Sequence, residues 1–195
     1  FKIKALWFIF PLMGVSYAQV GALRGLWIGP YLEDVFGAEA HLIGLATLLM
    51  GIGMVLGTFA YGPLDRVLKT TKWVVIGGTA LNIAALVGLI LYPDSSIILS
   101  TLLMAATGFF GATYAIIISH GRSFLPPQLI GRGMTLLNLC SIGGVGVAQF
   151  LSGRAFAASQ PAYTMHAPYV VIFSLFTGLM VVGLFIYLFS RDTAH

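Results

Sequence analysis

The chain has 195 residues, 58% of them hydrophobic and only 8% charged, with a mean hydropathy of +0.97. A water-soluble domain needs roughly a quarter of its residues charged to cover its surface. This composition excludes such a domain and fits a chain enclosed by lipid. The formal net charge of +4 does not signal nucleic acid, because the basic residues stand singly and form no patch of the kind phosphate binding needs.

Six apolar runs follow in order, each about as long as a helix crossing a ~30 Å hydrocarbon core. They lie at Leu6–Gly29, Leu42–Tyr61, Trp73–Leu91, Ile97–Ser119, Gly133–Gly153 and Tyr169–Phe189. In lipid, backbone polar groups must be satisfied within the segment or in a closed barrel. None of the runs alternates in polarity as barrel strands do, so all six are expected to be helices. Residues 1–195 read as a single all-α transmembrane domain, without a linker or a second soluble unit.

The loops between the runs divide by charge. Lys2, Lys4, Arg66, Lys69, Lys72, Arg122, Arg132 and Arg191 fall on one side, and only Arg154 on the other, beside Glu33, Asp34, Glu39 and Asp94. The positive-inside rule then puts both chain ends in the cytoplasm. It marks an integral membrane protein, most simply of a bacterial inner membrane. Trp7, Trp27 and Trp73 fall near expected span ends, where amphipathic rings sit. The chain opens on Phe1 rather than Met, which suggests a fragment, a processed product or a trimmed chain. Lys2, Lys4 and the small residues Ser16 and Ala18 also fit a signal peptide, but the apolar run continues to Gly29 and suits a complete span better.

Along the first run, Arg24 is the only charged residue well inside a span. At mid-bilayer an Arg costs roughly 2.5–3.5 kcal/mol on translocon scales, so such a residue usually faces a cavity or a partner. All six carboxylates are expected in loops. Glu33, Asp34, a group on another bundle, or an anionic or zwitterionic solute are therefore the candidate partners; the alternative is that Arg24 snorkels to the nearer interface. Tyr17, Gly21, Arg24, Trp27 and Ile28 share one face at helical spacing. Gly21, Gly25 and Gly29, and then Gly53 and Gly57, form small-xxx-small rows that serve helix packing or a moving seam. Gly143, Gly144 and Gly146 make the fifth run the expected place for flexing or unwinding.

Uncharged polar residues in the runs are packing glue or cavity lining. Tyr17, Gln19, Thr113, Tyr114, Asn138 and Gln149 join Arg24 as candidates for lining a substrate cavity, and Asn82 is a further polar residue in a run. His120, His41, His166 and His195 show no metal spacing, and neither a metal nor another cofactor is expected. Cys140, the single cysteine, lies inside a run and reads as an inert packing residue.

Two loops carry a family resemblance. Gly62-Pro63-Leu64-Asp65-Arg66-Val67-Leu68-Lys69 resembles the degenerate second copy of the G-x-x-x-D-R-x-G-R-R loop of major facilitator superfamily transporters. Gly62 stands three rather than four residues before Asp65, and the Gly-Arg pair is missing. Pro126-Pro127-Gln128-Leu129-Ile130-Gly131-Arg132-Gly133, with Asn138 following, is similar to the Pro, Arg-Gly and Asn pattern at the start of the eleventh helix in that superfamily. The resemblance covers the whole chain and implies the C-terminal six-helix half, an inverted three-plus-three repeat. It implies a secondary active transporter rather than an enzyme, working by alternating access, with a small-solute site shared with an N-terminal half or a dimer partner. Runs one, two, four and five would be the gating helices, and Asp65, Arg66 and Arg132 the cytoplasmic gating loops.

Other classes fit less well. A six-span subunit of a vitamin importer matches the length. An intramembrane serine protease would need Gly-x-Ser-Gly, whereas Gly14-Val15-Ser16 is followed by Tyr17. A mitochondrial-type carrier would need three Pro-x-Asp signatures, whereas Pro63-x-Asp65 occurs once and Lys69 falls one position late for that signature.

Overall fold

The computed structural model describes residues 4–160 and 164–192. Lys2 and His195, assigned above to the chain ends, lie outside the described residues. The described residues contain helices and turns and no strand.

The first apolar run folds as a rod in four pieces: α1 (Lys4–Trp7), α2 (Phe10–Ala22), a π-helical segment (Leu23–Trp27) and α3 (Ile28–Phe36). Pro11 opens α2, where its missing N–H removes only a donor that would be orphaned anyway. Gly37, at φ 62°, closes α3 in the left-handed conformation that glycine adopts freely. Then come α4 (Ala40–Leu68), α5 (Thr71–Leu91), α6 (Ile97–Gly111), α7 (Tyr114–Ser123), a 3-10 turn at Pro127–Leu129, α8 (Ile130–Ser159) and α9 (Ala167–Tyr187). Between α6 and α7, the N–H groups of Ala112 and Thr113 bond three residues back, to Phe109 and Phe110, so the rod tightens without breaking. Among the described residues, five stretches are long and apolar enough to cross a membrane: Ala40–Leu68, Thr71–Leu91, Ile97–Ser123, Pro127–Ser159 and Ala167–Tyr187. The π-helical segment divides the sixth.

Three expectations need correction. Residues 62–68 are not a loop but the last two turns of α4. Pro63 is exposed there and costs a single ladder bond near a helix end. Asp65 and Arg66 are therefore helical, as are Glu33 and Asp34 in α3 and Arg132 in the first turn of α8. The glycine-dense fifth run does not unwind: α8 is continuous over thirty residues.

The helices pack in a defined set of pairs: α4 on α6, α2 on α8, α5 on α6 and α9, α2 on α9, and α8 on α9. Glycine sets the closest of these. A Cβ on Gly53 would stand 2.5 Å from the Ala105 carbonyl oxygen, and one on Gly108 2.5 Å from that of Met50. One on Gly57 would overlap the Phe109 carbonyl. Across the bundle, a Cβ on Gly144 would overlap the Gly14 carbonyl, and one on Gly21 would come 3.0 Å from Val145.

Both ends are tied by polar contacts. At the end carrying the first and last helices' outer termini, Thr70 donates to Asp192 at 2.5 Å and Asp192 accepts the Lys72 N–H at 3.0 Å, capping α5. Lys72 Nζ returns the cap to α9 through the carbonyls of Leu188 (2.7 Å) and Ser190 (2.9 Å). His120 Nε2 donates to the Arg191 carbonyl at 3.0 Å, which leaves Nδ1 to accept from Tyr187 at 2.6 Å. At the opposite end, Tyr31 donates to the Pro93 carbonyl at 2.5 Å and accepts from Ser100 at 3.0 Å. Trp27 donates to Ser152 at 2.8 Å within a ring cluster that includes Phe156, Tyr169 and Phe173.

Three substitutions test this packing. Gly57→Val should lower stability in detergent by about 1–3 kcal/mol, the cost of overpacking, whereas Gly143→Ala, where nothing lies within 4 Å of a new Cβ, should be neutral or stabilising by up to about 1 kcal/mol. Asp192→Ala should cost about 1 kcal/mol through loss of the α5 cap. Thermal unfolding of the purified variants reads all three.

Candidate functional site

Burial is uneven among the helices. Only 17% of the apolar stretch of α4 is buried, and 17% of that of α8, against 44% for α5 and for the α6–α7 rod. The outward faces of α4 and α8 are large and apolar: Leu48, Ile52, Val55 and Phe59 on one, Ile142, Val147 and Phe150 on the other. Between them lies the middle of the first rod.

Arg24 occupies this position. It lies in the π-helical segment, where the Ile28 N–H reaches five residues back to Leu23. The extra residue in the turn separates residues that a regular helix would hold on one face. Tyr17, Gly21 and Arg24 line the groove, while Trp27 and Ile28 are buried in the core. The guanidinium lies over Gly51, near the midpoint of α4, with Nη2 3.2 Å from where a Cβ would stand. A side chain at Gly51 would take its seat.

Two cavities meet at Arg24. One, of about 510 Å³, is walled by α4, with Leu48, Ile52, Val55 and Thr58, and closed by Tyr114 of α7. The other, of about 530 Å³, lies between the first rod and α8, with Tyr17, Gly25, Thr47, Ile142 and Val145. Met54 belongs to both. The rings of Tyr17 and Tyr114 stand 4.7 Å apart at 56° and bridge the first rod to α7. The Thr47 and Thr58 hydroxyls donate to the Ile43 and Met54 carbonyls one turn back, at 2.8 and 2.9 Å.

Electrostatically the site holds one positive charge. Among the described residues, no carboxylate lies within ion-pair distance of Arg24 and no hydrogen bond engages it. The acidic residues stand at the bundle ends, several of them engaged there. Glu39 faces His41 at 3.4 Å and Asp94 faces His166 at 3.2 Å. Asp34 accepts from Tyr169, and Asp192 caps α5.

The other sequence candidates disperse. Thr113 is fully buried, donates to the Phe110 carbonyl at 3.1 Å and packs against Gly78. Gln19 is buried with its amide beside Gly111, as is that of Asn82, and neither amide has a hydrogen-bond partner. Gln149 is half-buried, its Nε2 3.6 Å from where a Gly25 Cβ would stand. Asn138 is exposed on α8 and lines neither Arg24 cavity. Asp65 Oδ1 accepts the Arg66 N–H at 2.7 Å at the end of α4, and Arg132 is exposed at the start of α8. Ser16 is buried without a hydrogen bond.

Sequence reasoning missed α4's contribution. Thr47, Gly51, Met54 and Thr58 form a stripe at i, i+4, i+7 and i+11, and all four line the Arg24 cavities. The two threonines in the otherwise apolar stretch from Leu42 to Ala60 were the available signal. A further cavity of about 450 Å³, among α2, α8 and α9, has nearly all-apolar walls and no charged residue in its lining. Among the described residues no cluster of His, Cys, Asp and Glu is placed to hold a metal.

An unpaired guanidinium in a membrane is a stability cost that function would have to justify. Arg24→Met is accordingly expected to raise stability in lipid nanodiscs by about 1–3 kcal/mol, read as an upward shift in thermal midpoint. A downward shift would reveal a structural partner. No family model and no curated protein matches this chain.

Proposed function

We propose that the chain is a six-helix half of a secondary transporter of the major facilitator type, which moves a small solute by alternating access against a second six-helix bundle. The second bundle is either an N-terminal half or another copy of the chain. In this reading the protein sits in a bacterial inner membrane, with both chain ends in the cytoplasm as the basic loops require.

The observation that carries the proposal is Arg24, unpaired, seated over Gly51 at the middle of a face that α4 and α8 leave bare. Lipid cannot solvate a guanidinium at that depth, so the face needs water and a facing partner. The packing supports an internal three-plus-three repeat. The pairing of α4 with α6 has its counterpart, three spans on, in α8 with α2, and the pairing of α5 with α6 in α9 with α2. The π-helical segment in the first rod and the tightened turn at Ala112–Thr113 in the fourth occupy corresponding helices of the two triplets, and both flank the Arg24 cavities. Irregular backbone at membrane depth occurs where it lines a cavity.

In a Cys140→Ser background, Thr47→Cys and Leu49→Cys differ by two residues of α4. Thr47 lines an Arg24 cavity and Leu49 lies on the other side, beside Ile98. A membrane-impermeant thiol reagent applied to both faces of the bilayer should label Thr47→Cys at least about tenfold faster, because only water-filled cavities admit a charged reagent at that depth. Equal labelling would remove the proposal.

A further inference from the structure

Among the buried polar side chains without a hydrogen-bond partner, four stand together: Ser16 and Gln19 on α2, and Thr79 and Asn82 on α5. None is more than 2% exposed. A second bundle laid against α4 and α8 cannot reach them, so whatever satisfies them lies inside this chain. On each helix the two residues are three apart, which places them on one face about a turn from each other. The two pairs meet beside α6. A Cβ on Gly111, the last residue of α6, would stand 3.5 Å from Gln19 Nε2 and 3.6 Å from Asn82 Nδ2. The rod tightens at the next two residues, Ala112 and Thr113, before α7 begins.

The hydroxyl of Thr79 is free of its own helix. Thr47, Thr58, Thr135 and Thr177 each donate to the carbonyl four residues back. Thr79 is more buried than any of them and makes no such bond. A buried polar group left unpaired is strongly unfavourable, and at membrane depth no bulk water relieves it.

Two carboxamides and two hydroxyls put donors and acceptors in the same place. Closing the carboxamides on each other would use the oxygen and one N–H of each, and would leave the second N–H of each and both hydroxyls unserved. A cation would take the oxygens alone, and an anion the donors alone. Water donates and accepts at once, and a buried water is held by two to four such groups. We infer that Ser16, Gln19, Thr79 and Asn82 form an internal site for ordered water, which bridges the first rod to α5 beside the tightened turn between α6 and α7. Such a bridge keeps its hydrogen bonds through a small shift of the helices that would break a direct side-chain bond. The inference does not rest on the transporter reading, because the four residues are enclosed by this chain's own helices.

The test uses the full chain in lipid bilayers, with isotope-labelled asparagine and Asn138→Ser, so that Asn82 is the one asparagine left. Asn138 is exposed on α8, away from the interior. Solid-state NMR then reads the transfer of magnetisation from water. Transfer to the Asn82 carboxamide is expected to be several-fold faster than to the Asn82 backbone N–H, which lies within the α5 ladder. Thr79→Val, which removes one hydroxyl at nearly constant shape, should reduce that lead. Equally slow transfer to both groups would overturn the water site, and a contact with Gln19, read with glutamine labelled as well, would put a direct pair in its place. A lead unchanged in Thr79→Val would overturn the four-residue site. So would a saturable shift of the carboxamide signal when sodium chloride replaces choline chloride, which would show a bound cation instead.

Discussion

Helices in a bilayer gain little from burying apolar surface against each other, since lipid tails are as apolar as leucine. What holds this bundle is contact at the shortest range, where backbone meets backbone. Gly53, Gly57 and Gly108 bring α4 onto α6, and Gly144 brings α8 onto α2, until carbonyl oxygens occupy the space of missing Cβ atoms, while Gly21 seats the Val145 side chain. Dispersion falls off steeply with separation, so these seams give more per residue than ordinary side-chain contacts. The polar ties at both ends then fix the depth at which the seams meet.

The seams also decide what stays uncovered. Because α4 spends its glycine edge on α6 and α8 spends its own on α2, the opposite edges of both helices face outward without a partner. The first rod crosses between them. A regular helix there would hold Trp27 and Arg24 on neighbouring positions of one face. The π-helical turn inserts a residue, sends Trp27 into the ring cluster with Phe156 and Tyr169, and leaves Arg24 at the groove. The same irregularity thus serves the core and the site together, and neither arrangement survives if the turn becomes regular.

The helical class and the presence of several helices long and apolar enough to cross a membrane were legible in composition and run length alone, because hydrocarbon thickness permits few alternatives. Arg24 was legible as an oddity, a single charge in a long apolar run. Its neighbours were less so. Tyr17 and Tyr114 were found as polar groups within spans, but Thr113 and Gln19, found by the same rule, point into the packed interior. A residue's polarity does not say which side of its helix it occupies once a π-helical turn or a 3-10 turn has shifted the register. Gly62-Pro63 reads as the opening of a loop, yet a proline near a helix end costs too little to stop α4. The glycines of α8 read as weak points, yet Gly144 is where that helix is held most closely, and Gly143 and Gly146 meet nothing within 4 Å.

The most direct measurement is of what surrounds one guanidinium. Solid-state NMR on the full chain in lipid bilayers, with arginine labelled and Arg24 assigned by comparison with Arg24→Met, reports which protons and carbons lie within a few ångström of it. A seat over Gly51 in a wet groove requires fast magnetisation transfer to Arg24 from mobile water and no contact with a carboxylate carbon. Transfer dominated by lipid acyl protons, or a carboxylate in contact with Arg24 in the unliganded chain, would contradict the unpaired, solvated charge on which the functional reading rests.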